Sequence, residues 1–214
     1  MTEPAIRSSE QSLGFERLVF FSDAVFAIVI TLLVLPLTAE IELPEDGTSL
    51  VQHVIDQWPR MVSFVVSFLV IGQFWIAHHA MFRHLHRFDH GLLWFNLVTL
   101  LTVSFMPFPT AVLGARPESA QQFPVVFYAA SLTVSSLTLT AMWLYARRRG
   151  LVSSTMSAAD QRRFSMRAAV TSGIFVLSIG AAFFGLWSAM LCWLLLLPVA
   201  RILVSAMPAE RTAT

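Results

Sequence analysis

Residues 17–37 read RLVFFSDAVFAIVITLLVLPL. The run is long and apolar enough to cross a bilayer, which takes about 20 mostly apolar residues. Yet it carries Arg17, Ser22 and Asp23 at one end. An ionised side chain at the centre of a membrane helix costs roughly 2.5–3.5 kcal/mol on insertion scales. Such residues therefore mark a packed polar junction or a transport path.

The rest of the chain fits the same solvent. Of 214 residues 56% are hydrophobic and only 13% charged, whereas soluble domains carry about 25% charge. The composition is that of an integral membrane protein. All fourteen basic residues are Arg, a usage read as genomic bias. Cys192 is the single cysteine, which excludes an intrachain disulfide and any CxxC metal or redox motif. The opening MTEPAIRSSEQSLG lacks the basic and cleavable parts of a signal peptide, so the first apolar run is expected to stay as a span.

Six apolar helices are expected, at 15–37, 57–80, 91–113, 121–146, 165–185 and 187–206. They form one transmembrane domain over 15–206, with tails at 1–14 and 207–214. Pro107 and Pro109 should kink or end the third span, because neither can donate a backbone hydrogen bond. Arg83 and Arg87 follow the second span, and Arg147, Arg148, Arg149, Arg162, Arg163 and Arg167 surround the fourth connection. The opposite side has Arg60 and Arg116 and an acidic loop with Glu40, Glu42, Glu45 and Asp46. Positive charge stays inside, so both termini are expected in the cytoplasm. The 147–164 loop reads as basic, Ser-rich and mobile.

With antiparallel spans and a rise of about 1.5 Å per residue, Arg17, Ser22, Asp23, Trp75, His78, His79 and Asn96 fall in one layer near the cytoplasmic side. A buried carboxylate needs donors, and histidine, arginine, indole and amide N–H groups all supply them. The layer reads either as a hydrogen-bonded clamp between helices or as a gating or proton-sensing site.

The stretch HHAMFRHLHRFDH, residues 78–90, looks superficially metal-like. His79, Arg83, His86 and His90 would share a helix face if the helix continued. Interleaved arginines oppose a metal site, which also needs fixed supporting partners. A basic collar meeting lipid head groups is the expected role, with no metal or cofactor.

Higher on the first span, Ile28, Leu32 and Leu35 make an apolar stripe with Thr31 beside it. Such a stripe faces lipid, a neighbouring helix, or a pore whose hydrophobic constriction gates by dewetting. A pore would require several copies around one axis, because one chain has no polar stripe of its own. Intramembrane carboxylate pairs, usual in proton-coupled relays, are absent from the other spans. Nothing points to nucleic acid.

The segment from Arg17 to Asp23 resembles the R-x-x-x-F-S-D signature of the transmembrane protein 175 family of potassium channels. The similarity continues through AVFAIVITLLVL and through residues 74–114, FWIAHHAMFRHLHRFDHGLLWFNLVTLLTVSFMPFPTAVLG. Residues 120–214 match only in hydropathy and span count. The resemblance implies a prokaryotic homotetramer, six helices per subunit, with helix 1 around a central pore and no TVGYG-like filter. It implies constriction rings at Ile28, Leu32 and Leu35, a selectivity role for Thr31, and an anchoring role for Arg17, Phe21, Ser22 and Asp23 against spans two and three. The expected activity is passive conduction selective for potassium, with other monovalent cations and protons possible, in a prokaryotic plasma membrane. It is not an enzyme. The alternative is a secondary transporter or exporter of a small solute or ion; a membrane enzyme or haem protein using the His-rich stretch is a third reading.

Overall fold

A computed structural model describes residues 3–38, 50–115, 122–185 and 188–193. The regular elements among the described residues are helices: α1 (Glu3–Leu32), α2 (Leu35–Thr38), α3 (Leu50–Asp56), α4 (Trp58–Phe82), α5 (His90–Ser104), α6 (Pro107–Ala115), α7 (Phe123–Arg148) and α8 (Ala158–Ala182). Five stretches are long and apolar enough to cross a membrane: Leu13–Thr38, Trp58–Phe82, His90–Ala115, Phe123–Arg148 and Ala158–Ala182. The chain is an all-helical, multi-pass membrane protein. Of the sixth expected span, 188–193 is helical and the remainder lies outside the described residues, as do the acidic loop and the 207–214 tail. At the other end α1 runs unbroken from Glu3 through the expected tail boundary at residue 14.

Two spans are built from paired helices, and proline explains both breaks. Pro36 cannot donate to the carbonyl of Leu32 and its ring crowds that carbonyl, so α1 ends and a turn at Leu33 and Val34 leads into α2. Pro107 and Pro109 act likewise on the carbonyls of Val103 and Phe105. The helix tightens there, with the Met106 amide donating to Val103 O at 3.0 Å, and restarts with Pro107 as its first residue.

The helices pack in sequence from one side of the subunit to the other. α1 lies on α4 and α5, α4 lies on α6, and α7 contacts α5, α6 and α8. The larger core joins Phe26, Val29 and Leu33 of α1 to Ile71, Phe74, Met106, Tyr128, Leu132 and Phe175. A smaller one, Met81, Phe82, Leu85, Leu92, Met142, Trp143, Ala146 and Leu151, closes the arginine-rich end. Between α7 and α8 the contact is partly polar. The Ser172 hydroxyl lies 2.8 Å from that of Ser136 and 3.0 Å from that of Thr140, and Trp143 Nε1 donates to Ser165 Oγ at 2.8 Å. Small hydroxyl residues let membrane helices approach closely.

The connections at this end differ from the sequence expectation. The His-rich stretch does not continue as a helix: α4 stops at Phe82, and residues 84–86 pair with 151–153. Leu85 and Val152 form an antiparallel bridge, the His86 amide donates to Leu151 O at 3.2 Å, and the Ser153 amide donates to His84 O at 2.8 Å. His79, Arg83, His86 and His90 therefore share no helix face. The loop after α7 is likewise held rather than mobile, because Leu85 and Leu151 bury together beside that bridge. α8 begins at Ala158 rather than 165, capped by Ser157, whose hydroxyl accepts from the Asp160 amide at 3.1 Å.

Candidate functional site

Helix α1 has two sides. Ser22, Phe26, Val29 and Leu33, spaced one to two turns apart, are all buried. Arg17, Phe21, Ala24, Ile28, Thr31, Leu32 and Leu35 are exposed. At about 100° per residue, Arg17, Phe21 and Ile28 lie within roughly 20° of one line along the helix; Leu35 opens α2 beyond the break. Ala24 and Thr31 lie on one flank of that line and Leu32 on the other. Ile28 is 57% exposed, in the middle of an apolar span.

The buried side carries a polar junction. Ser22, His78 and Asn96 are each at most 1% exposed and come from α1, α4 and α5. His78 Nε2 lies 2.8 Å from Asn96 Oδ1, Asn96 Nδ2 donates to Ser22 Oγ at 3.0 Å, and Ser22 Oγ lies 2.9 Å from Leu18 O. One arrangement is consistent with all three contacts: the Nε2–H tautomer donates to the amide oxygen, the amide nitrogen to the hydroxyl, and the hydroxyl to the backbone. The ring of His78 stacks on Phe82 with centroids 4.5 Å apart and meets Phe26 at 5.3 Å. Apolar walls and a buried hydrogen-bond chain fix the imidazole's orientation.

Asp23 makes a second, half-exposed connection from α1 to α4. Trp75 Nε1 donates to Asp23 Oδ1 at 2.9 Å. His79 Nδ1 is 3.7 Å from the same oxygen, too far for a hydrogen bond and within ion-pair reach of a protonated ring. The carboxylate is thus oriented by an indole and stands beside a titratable group, without burying an uncompensated charge.

Of the seven residues expected in this layer, and Phe21, which the resemblance adds as an anchor, six are brought together: Ser22, Asp23, Trp75, His78, His79 and Asn96. Arg17 and Phe21 are not. They project from the opposite side of α1 and make no hydrogen bond or ion pair among the described residues. Helix geometry gives the reason. Phe21 is turned about 100° from Ser22 and Arg17 about 140° from it, so α4 and α5 cannot reach them.

Two polar contacts went unforeseen. Ser67 Oγ sits 2.9 Å from Tyr128 OH and from Thr110 Oγ1, linking α4, α7 and α6 beside the proline break. The other is Asp89, which caps α5 by accepting from the Leu92 amide at 2.8 Å and accepts from Tyr145 OH at 2.9 Å. Arg149 Nε lies 3.5 Å from it. Partial burial pushes the Asp89 carboxyl up, but the Leu92 amide, the Tyr145 hydroxyl and Arg149 together hold it below its usual value. The Asp before an apolar helix was the available signal.

No three His, Cys, Asp or Glu side chains gather as a metal-ligand set among the described residues. A groove of about 310 Å³ lies between α4, α7 and α8. It is lined mainly by apolar side chains and receives none from α1 among the described residues.

Residues 17–107 match the family described as the endosomal/lysosomal potassium channel TMEM175. A potassium channel of Streptomyces collinus is 37% identical over 172 residues, covering 78% of this chain and 82% of the relative. The chain belongs to the TMEM175 family. A TMEM175 homologue from Chamaesiphon minutus, solved by crystallography and titled a lysosomal potassium-selective channel homologue, superposes with a TM-score of 0.73. It is 25% identical, and the match covers 90% of this chain and 99% of that one. The human relative, named an endosomal/lysosomal proton channel TMEM175, is 29% identical over 119 residues, which are 54% of this chain and 23% of that protein. The family's members are described as channels rather than enzymes. The TMEM175 match includes both sides of α1 and the whole of the polar junction.

Proposed function

We propose that this TMEM175 chain is a potassium-selective cation channel, assembled as a tetramer with α1 of each subunit around a central pore. Each subunit would contribute six spans, the sixth over 187–206. Conduction is passive, so the permeant potassium ions are the only ligand required and no cofactor is involved. The single observation that carries the reading is the exposed arc of α1: Ile28 and Thr31 project from the side opposite the junction, and Leu35 at the start of α2 is exposed as well. In the reading, Ile28, Leu32 and Leu35 form stacked constriction rings that gate by dewetting, in place of a TVGYG filter. The Thr31 hydroxyl lies 2.7 Å from Ile28 O. Donating there, it turns oxygen lone pairs outward, the ligand a potassium ion needs when it sheds water. The junction of Ser22, His78 and Asn96, with Asp23 and Trp75, holds α1 at a fixed azimuth so that the arc meets the axis.

The arginine-rich end lies in the cytoplasm by the positive-inside rule, with both termini there, in the plasma membrane of a prokaryotic cell. Sodium is disfavoured, while other monovalent cations and protons remain within the pore's reach. The groove beside α8 offers a transporter reading little. Its one charged lining residue among those described is Arg167, and a cation carrier would need a carboxylate there.

Ile28→Asn is the direct test, with flux measured in proteoliposomes under a potassium gradient. A polar side chain should wet the constriction and raise potassium flux or broaden it to sodium. Unchanged flux and selectivity in a folded assembly would remove Ile28 from the pore. Saturable uptake coupled to a second gradient would favour the transporter instead.

A further inference from the structure

Arg17 is the charge the junction does not use. It lies on the same line of α1 as Ile28, eleven residues or about 16 Å before it. It is exposed and has no hydrogen-bond or ion-pair partner among the described residues. Glu16 is also exposed but is turned about 100° around the helix. Asp23 is turned away towards Trp75 and His79. Neither carboxylate neutralises the guanidinium from within the subunit. The depth is equally defined. Phe15, two residues earlier, packs on Phe82 with ring centroids 5.9 Å apart and on Phe88 at 6.2 Å. Arg17 therefore stands level with the end of α4, at the arginine-rich mouth of the bundle. A surface arginine that merely met lipid head groups would be free to occupy any azimuth of α1. This one is in line with the constriction.

We infer that Arg17 forms a cationic ring at the arginine-rich mouth of the pore and limits cation conductance by repulsion. The inference rests on the proposed α1-lined tetramer. Each copy of α1 would present one guanidinium towards the axis, so a tetramer concentrates four positive charges where potassium must enter or leave. Such a ring lowers the local cation concentration, as fields focused at a mouth do. It also makes conductance depend on ionic strength, because screening reaches over about 10 Å at 0.1 M salt and only about 3 Å at 1 M.

The test uses the full-length chain in planar bilayers with symmetrical KCl at 0.1 M and 1 M. Arg17→Gln should raise unitary potassium conductance about two- to fivefold at 0.1 M, and the gain should vanish at 1 M as screening sets in. Arg17→Glu should raise it further at 0.1 M. Arg17→Lys, which keeps the charge and changes the shape, should behave as wild type. Arg148→Gln removes an exposed charge from the same end, on α7 and away from α1, and should leave conductance unaltered. Wild-type currents with equal conductance in Arg17→Gln at 0.1 M would overturn the ring while leaving the channel intact. An equal gain in Arg148→Gln would assign the effect to general surface charge and overturn it too. Absence of potassium current in the wild type would instead overturn the pore reading, and the ring with it.

Discussion

Asn96 sits where α1, α4 and α5 meet, and its amide joins the other two side chains by accepting from an imidazole and donating to a hydroxyl. Its oxygen is 2.8 Å from His78 Nε2 and its nitrogen 3.0 Å from Ser22 Oγ. Removing it leaves the buried His78 imidazole without a partner, while the Ser22 hydroxyl keeps its bond to Leu18 O. Leaving one buried donor or acceptor unsatisfied costs about 1–3 kcal/mol, so Asn96→Leu should lower the melting temperature of the purified protein clearly. Ser22→Ala alone should cost less, since it removes an acceptor and leaves the imidazole its partner. In the double variant the two effects should fall short of their sum, with a coupling of about 0.5–3 kcal/mol for residues in one network. A thermal melt of the four proteins decides this. Strict additivity would mean that the side chains act independently, despite their contact.

Helix ends show how a local signal and a distant contact combine. Asp89 caps α5, and its other carboxylate oxygen receives Tyr145 OH from the end of α7. Gly91 allows this, because a Cβ there would collide with the Tyr145 hydroxyl. Losing such a cap costs about 1 kcal/mol, so Asp89→Ala should be measurably less stable at pH 7. The pH dependence follows from the depressed carboxyl. A folded value below the unfolded one, about 3.9, gives stability that is complete above the unfolded value and fades as pH falls through the folded one. The gap between wild type and Asp89→Ala should thus be constant from pH 7 to about 5 and shrink below about 4. Melts across that range read it directly, and a gap independent of pH would mean that the ionised form contributes nothing. The cap could be read in the sequence, as an Asp before an apolar run, as could Ser157 with Asp160 before α8. Its partner could not. Tyr145 lies 56 positions away, and no periodicity announces such a pair. The pairing of Leu85 with Val152 was hidden for the same reason. The spans themselves were legible because an apolar run in lipid has few alternatives to a helix. The break at Pro107 was legible because proline has no amide to give. Depth along antiparallel spans brought Ser22, His78 and Asn96 to one layer. Azimuth is the missing coordinate: nothing within α1 alone says which side α4 and α5 cover, and depth alone puts Arg17 in the layer although it faces away from them.

Across the whole subunit, cover is unevenly shared. The first span has the highest mean hydropathy of the five, 2.7, yet only 22% of its apolar window is buried, against 39% for the second and 44% for the third and fourth. The fifth, at 17%, lies at the far side beyond α7. Among the described residues two apolar spans are thus poorly covered, and exposure alone does not distinguish lipid from water. The channel reading does distinguish them: the arc of α1 meets a pore, while α8 meets lipid or the subunit's remaining chain. Cysteine chemistry separates the two, because a thiol reacts as its thiolate and a thiolate forms in water rather than hydrocarbon. With Cys192 replaced by Ala, Thr31→Cys should be modified by a charged, membrane-impermeant methanethiosulfonate in proteoliposomes. Leu177→Cys, 70% exposed in the subunit, should resist it. Ser22→Cys, buried against Asn96, should resist it as well and so report on packing rather than depth. Modification at Thr31 should also reduce potassium flux, since the added cation would sit in the conduction path. If Thr31 and Leu177 are equally protected while flux persists, the exposed arc of α1 faces lipid and the ions pass elsewhere.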